Sequence, residues 1–180
     1  PRGMAGVKTI GYEIADALDG EIVEVFSPAG GGGLTLAVAR GIEEIGRGGR
    51  VHCVQPRGND TIASALRDGG GRAGAVASTT AISGLQVGSV LDGDHVIQAC
   101  RKQGGTGYVV ADEAVWAWQA KLAQDEGIFC EPAGAVALAG VADACRRGEL
   151  DTAAHAVCLV TGVGFKDEQS MAAMSGIGPT

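Results

Sequence analysis

The segment Val25-Phe26-Ser27-Pro28-Ala29-Gly30-Gly31-Gly32-Gly33-Leu34 carries the strongest chemical signal in the chain. A short β-branched and aromatic run meets four consecutive glycines, and an amphipathic stretch follows at once. Without side chains in the way, backbone N–H groups can converge on an anion, and the positive end of a helix starting at Leu34 adds to the attraction. Phosphate binding by Gly30, Gly31, Gly32, Gly33 and Leu34 is the chemistry this implies; the alternative is a tight strand-to-helix turn with no ligand. No Gly-Lys-Ser/Thr follows, so this is not a Walker loop, and the G-x-G-x-x-G spacing of dinucleotide folds is absent. Glu131 is a second candidate, a carboxylate in an apolar stretch just before Pro132, placed either to cap backbone N–H groups or to face a ligand. Thr161 is a third, in Thr161-Gly162-Val163-Gly164 directly after an apolar run.

These residues need elements that bring them together. Val7, Ile10, Ile14, Ala17 and Leu18 fall at helical spacing, which predicts a helix over 7–18 that stops before Gly20. A strand over 22–26 runs into the glycines, and Leu34, Ala37, Val38, Gly41, Ile42 and Ile45 share one helical face that ends among Gly46 to Gly49. Next come a strand over 51–55, a short helix over 61–67 and an irregular passage rich in glycine, alanine and serine up to Gly93. A helix over 95–103, a strand over 108–110 and a long helix capped by Asp112 follow. Pro132 suits the first turn of a further helix that stops near Gly148. A strand over 156–160 and a helix over 166–174 complete the order. Strand and helix alternate, and the strands are continuously apolar, so the fold class is α/β: a parallel sheet with helices on both faces. Thr161 and the glycines would then share the carboxyl edge of the sheet, where ligands of open α/β sheets bind.

Composition narrows the partners. A formal charge of -7 and a pI near 4.9 leave no broad cationic surface for a phosphate backbone, so no nucleic-acid partner is expected. No apolar run reaches the roughly 18–20 residues that span a bilayer, and no leader-like segment opens the chain, so the expectation is a soluble cytoplasmic protein with no membrane partner. The 5 cysteines are scattered without a C-x-x-C pair and read as buried thiols, with Cys130 the one nearest the candidate site. His52, His95 and His155 stand apart, with no metal spacing. Trp116 and Trp118 lie two apart and suit packing or a subunit contact.

Ser27-Pro28-Ala29-Gly30-Gly31-Gly32-Gly33-Leu34 resembles the cofactor-phosphate loop of fold-type II pyridoxal-phosphate enzymes, particularly their serine/threonine dehydratase branch. Glu126-Gly127-Ile128-Phe129-Cys130-Glu131-Pro132-Ala133-Gly134-Ala135 resembles the matching segment of threonine synthases. So do Lys8-Thr9-Ile10-Gly11-Tyr12-Glu13-Ile14 and Thr161-Gly162-Val163-Gly164-Phe165-Lys166-Asp167. The resemblance implies the large cofactor domain of a fold-type II enzyme in the tryptophan synthase β-like group, with pyridoxal 5'-phosphate as cofactor. It places Gly30 to Leu34 on the phosphate, Thr161 on the pyridine nitrogen and Glu131 near the ring, and it sets Ser83-Gly84-Leu85 and Gly104-Gly105-Thr106 around the site. A neutral hydroxyl donating to an unprotonated ring nitrogen leaves the ring a weaker electron sink, which suits elimination and replacement on a small amino-acid substrate.

In that family a lysine in the amino-terminal half holds the cofactor. None of Lys8, Lys102, Lys121 or Lys166 stands in such a motif, so residues 1–180 read as the carboxyl-terminal part of the cofactor domain, incomplete and with no catalytic residue of its own. The implied partner is the missing amino-terminal half of the same enzyme, and relatives are commonly homodimers. Val163 stands where threonine synthases often carry histidine, and the four glycines favour the dehydratases. Three functions follow: a threonine synthase-like lyase, a dehydratase-like ammonia-lyase, or a non-catalytic binding or regulatory module that keeps only the phosphate loop.

Overall fold

The computed structural model describes residues 3–18, 23–46, 48–151 and 153–175. Two short helices, α1 (Gly3–Val7) and α2 (Thr9–Ala17), precede β1 (Val23–Pro28), α3 (Gly33–Ile45), β2 (Gly49–Pro56) and α4 (Ala63–Arg67). Then come α5 (Gly93–Lys102), β3 (Gly107–Val110), α6 (Asp112–Glu126), α7 (Pro132–Arg146), β4 (His155–Cys158), a 3-10 turn (Gly164–Lys166) and α8 (Glu168–Ser175). All strand pairs are parallel, in the order β3-β2-β1-β4.

That order explains the layers. The chain steps from β1 through β2 to β3 in one direction, then returns past both to place β4 on the far side of β1. Right-handed crossovers in opposite directions put their helices on opposite faces. The two cores show this directly. Val25, Val51 and Cys53 pack with Leu36, Val38 and Ile42 of α3 and Val96, Ile97 and Cys100 of α5. Phe26, Val54, Tyr108 and Val110 point the other way and pack with Val115 and Leu122 of α6 and Ala135, Val136 and Ala139 of α7. Neighbouring residues of one strand feed different cores, which is why β1 is buried along its whole length.

Several expectations need correction. The helix over 7–18 is split, with Val7 ending α1 and Thr9 beginning α2; α2 ends at Ala17 with Leu18 as its C-cap, before Gly20 as expected, and the expected first strand residue Ile22 lies outside the described residues. Helices α2 and α3 cross closely, and a Cβ on Gly41 would collide with the Lys8 carbonyl oxygen, so glycine is required at that crossing. Asp112 does not cap its own helix, whose N-cap is Ala111; its carboxylate accepts the Thr80 hydroxyl at 2.6 Å and the Ala81 N–H at 2.7 Å. The last strand is shorter than expected and ends at Cys158, although the Leu159 N–H still donates to the Phe26 carbonyl at 3.0 Å. Four cysteines are buried or partly so, but Cys145 is exposed. Trp118 is half-buried against the α7 core, whereas Trp116 is 40% exposed. Among the described residues no helix is long and apolar enough to cross a membrane.

One buried polar cluster sits in the sheet. Glu24 of β1 and His52 of β2 are both buried, and Arg50 also pairs with Glu24. The Thr106 N–H donates to His52 Nδ1 at 3.1 Å, so Nε2 carries the proton and donates to Glu24 at 2.7 Å. Burial lowers the His52 pKa, outweighing the pull of Glu24 in the other direction. The unfolded chain, with an ordinary histidine near 6.5, therefore takes up the proton first, and stability falls as pH drops below about 6.5 toward the lower folded value. Urea unfolding at pH 7.5 and 5.5 should show His52 contributing up to about 1.4 kcal/mol per pH unit across that window. His52→Gln, which can still donate to Glu24 without titrating, should flatten that part of the slope.

Candidate functional site

The glycine turn is shaped by close contacts. β1 pairing extends one residue beyond Pro28 through the Ala29 N–H to the Val54 carbonyl at 3.0 Å, and the chain then turns into α3. Gly32 is the N-cap, with φ of 85°. A Cβ there would also lie 2.7 Å from Val96 Cγ2 and 2.9 Å from Ile62 Cδ1, so both backbone and packing demand glycine. Gly31 differs: it is exposed, and a Cβ on it would meet nothing within 4 Å. Across the base of the turn, the hydroxyls of Ser27 and Thr35 are hydrogen-bonded at 2.9 Å, tying the end of β1 to the first turn of α3. No side chain caps α3, so its first N–H groups keep their capacity to bind an anion.

Glu131 and Thr161 are brought together by backbone pairing that no sequence pattern announced. The Glu131 N–H donates to the Gly162 carbonyl at 2.9 Å and the Gly164 N–H to the Phe129 carbonyl at 3.0 Å, clamping the two segments antiparallel around a Cys130–Val163 bridge. Gly162 lies against the Glu131 carboxylate, where a Cβ would collide. Thr161 does not end the strand as expected; it stands beyond Cys158, and its hydroxyl donates to Glu131 Oε1 at 3.3 Å. Glu131 is the N-cap residue of α7 by position, but its carboxylate makes no capping bond. It takes the Thr161 hydroxyl and an ion pair with Lys166 Nζ at 3.4 Å.

These parts line one cleft of about 270 Å³, bounded by Pro28, Gly30 to Leu34, Gly84, Leu85, Glu131, Ala133 and Thr161. Every residue singled out for the cofactor thus borders the same space. Gly84 and Leu85 join them, but Gly104-Gly105-Thr106 precedes β3 at the opposite edge of the sheet, with the Thr106 N–H committed to His52. Cys130 is 2% exposed, and burial pushes its thiol pKa up, which disfavours the thiolate. Lys166 stands in no cofactor-lysine motif; its proximity to Glu131 follows from the antiparallel clamp and carries no local signature. A second, roomier cleft of about 540 Å³ between α6 and α8 is lined by Trp116, Gln119 and Ser170 and does not touch the glycine turn.

A family profile described as pyridoxal-phosphate dependent enzyme matches residues 1–162. The chain belongs to this family. The threonine synthase of Methanosarcina acetivorans is 31% identical over 182 residues, covering 95% of this chain and 44% of the relative. That of Methanocaldococcus jannaschii is 30% identical over 178 residues, covering 93% and 43%. The chain therefore spans somewhat under half the length of these relatives. In fold it resembles the processed form of threonine deaminase isoform 2 from Solanum lycopersicum, with a TM-score of 0.73 at 22% identity over 97% of this chain and 49% of that one. A fungal L-serine ammonia-lyase from Rhizomucor miehei gives a TM-score of 0.72 at 21% identity over 89% and 51%.

The residues present fit the family's cofactor. The open space over Gly31 and the uncapped start of α3 suit its phosphate, and the Thr161 hydroxyl on the same cleft suits a ring nitrogen. Two alanine substitutions separate fold from binding. Gly31→Ala should change the unfolding free energy by no more than about 0.5 kcal/mol yet weaken inorganic phosphate binding, because the added methyl enters the cleft. Gly32→Ala should cost about 1–3 kcal/mol in urea unfolding through its positive φ and the clash with Val96.

Proposed function

We propose that this chain is the part of a pyridoxal-phosphate-dependent lyase that grips the cofactor's phosphate and ring nitrogen. The enzyme would be of the threonine synthase type, acting on a small amino acid by elimination or replacement at a side-chain carbon. The observation that carries this reading is the single cleft shared by the glycine turn, Glu131 and Thr161. When bound, the cofactor supplies an electron sink for breaking a bond at the amino acid's Cα.

The chain's own residues have separable tasks. Gly30 to Gly33 and the start of α3 bind the phosphate dianion through backbone N–H groups. Thr161 orients the ring through one neutral hydroxyl, which brings no charge to the nitrogen and leaves it unprotonated. A hydroxyl has one proton to give, so Thr161 bonds either Glu131 or the ring nitrogen at a given moment. Lys166 keeps a cation beside Glu131 when the hydroxyl turns away. The lysine that would hold the cofactor aldehyde is supplied, in this reading, by the amino-terminal half of the enzyme. An edge for that half is present: β4 ends the sheet, and Val160, Val163 and Phe165 beside it are 40%, 49% and 69% exposed.

The four-glycine turn favours a second reading, an ammonia-lyase of the dehydratase type. A chimera tests both: this chain replaces the matched part of the Methanosarcina threonine synthase, and the purified protein is assayed with pyridoxal 5'-phosphate. Threonine formation is the expected result, whereas release of ammonia from serine or threonine would favour the second reading. Cofactor absorbance with no turnover of any amino acid would reduce the chain to a binding module. The isolated 180-residue chain should show no pyridoxal-dependent turnover; robust activity there would overturn the division of labour between the halves.

A further inference from the structure

We infer that the buried side-chain amide of Gln55 is the positioning residue of the glycine turn, setting the direction of the N–H groups of Gly30 and Gly31 toward an anion. This rests on the reading of the turn as a phosphate site and adds to it a residue outside the cleft. Gln55 lies near the end of β2, directly beside β1, and is 0% exposed. A buried amide is tolerated only when its hydrogen-bonding groups are used.

Those of Gln55 are used in a way that fixes its orientation. Its Oε1 accepts the Ile62 N–H at 2.7 Å and the Ala63 N–H at 2.8 Å, at the start of α4. Two N–H donors at that end require the carbonyl oxygen there, so the NH2 group must face the other way. It donates to Thr61 Oγ1 at 3.1 Å and to the Ala29 carbonyl at 3.1 Å, with the Gly30 carbonyl at 3.5 Å. The two amide protons serve Thr61 and the Ala29 carbonyl, and the Gly30 carbonyl shares the second at the outer limit of hydrogen bonding.

Peptide geometry turns this into an aim. Among the described residues no peptide bond is cis, and in a planar trans unit the C=O and the following N–H point in opposite directions. With the Ala29 oxygen held against Gln55, the Gly30 N–H faces away from it; with the Gly30 oxygen drawn the same way, so does the Gly31 N–H. Gly30 and Gly31 border the cleft, Gln55 does not, and neither N–H donates to another group among the described residues. Four glycines leave peptide planes free to rotate, and that freedom must be lost before amides can converge on a ligand. One rigid amide removes it for the Ala29–Gly30 plane and biases the plane that follows.

The test uses the full 180-residue chain labelled with nitrogen-15 and titrated with inorganic phosphate, following the Gly30 and Gly31 amide signals. The wild type should give saturable shifts. Gln55→Met keeps length and burial but loses every hydrogen bond, and Gln55→Glu, studied at a pH where its carboxylate is ionised, can still accept from Ile62 and Ala63 while donating nothing to Ala29 or Gly30. Both should raise the phosphate Kd about tenfold or more, measured at a temperature where each variant is fully folded. Nitrogen-15 relaxation is the accompanying readout: order parameters should fall at Gly30 and Gly31, while hydrogen exchange at Leu66 of α4 should stay unchanged. Saturation of both variants within twofold of the wild type would refute the role of Gln55 and leave the phosphate reading standing. Weakened binding with exchange raised throughout α4 and the sheet would also refute it, as the mark of a purely structural residue. Absence of saturable shifts in the wild type would remove the phosphate reading, and this inference with it.

Discussion

The parallel pairing of β1 with β4 is the constraint on which the rest of the structure depends. Its register sets Phe26 against Cys158, and the Leu159 N–H continues it to the Phe26 carbonyl. Because both strands run the same way, the chain leaves both at the same edge of the sheet, on one side as the glycine turn and on the other as the Thr161 segment. Strand order reverses between these two neighbours, which opens a crevice there and closes it elsewhere. Without that pairing, the glycine turn would have neither Glu131 nor Thr161 beside it on one cleft.

Around this crevice, rigidity and openness are distributed residue by residue. Gly32 is wedged between Val96 and Ile62, whereas Gly31 faces open space one residue earlier. The Ser27–Thr35 hydroxyl pair closes the base of the turn, and the Gln55 amide holds its entry. On the other wall the backbone clamp between residues 129–131 and 162–164 does the equivalent work for Glu131 and Thr161. Placement by backbone hydrogen bonds is stiffer than placement by long side chains, since few rotatable bonds lie between the clamp and the functional atom.

Membership of the pyridoxal-phosphate dependent enzyme family explains why polar groups gather at this edge, and the chain's coverage of under half of its curated relatives fits the uneven finish of the sheet. Its centre is finished: β1 is buried throughout and both faces are covered. Its β4 side is not, since His155 and Ala156 are exposed and apolar side chains lie open beyond them. A parallel sheet is ordinarily covered on both faces, so an open apolar edge of this kind is a surface suited to further chain.

The sequence by itself determined the local structure and the chemistry on offer. Helical spacing from Leu34 to Ile45 marked α3, continuous apolar runs marked the strands, and four glycines marked the turn into a helix, because these signals depend on neighbours within a few residues. Boundaries were less legible: the break between α1 and α2 at Lys8 lies against Gly41 of α3, and the Asp112 carboxylate goes to Thr80 and Ala81 and not to its own helix. Only the tertiary structure decided which distant residues would meet. It put Lys166 and Thr161 on Glu131, left Gly104 to Thr106 at the far edge, gave His52 to Glu24 and set Gln55 under Ala29. The physical reason is that a carboxylate, hydroxyl or amide carries no record in sequence of its partner; strand order and register assign it, and those are settled by the packing of the whole sheet.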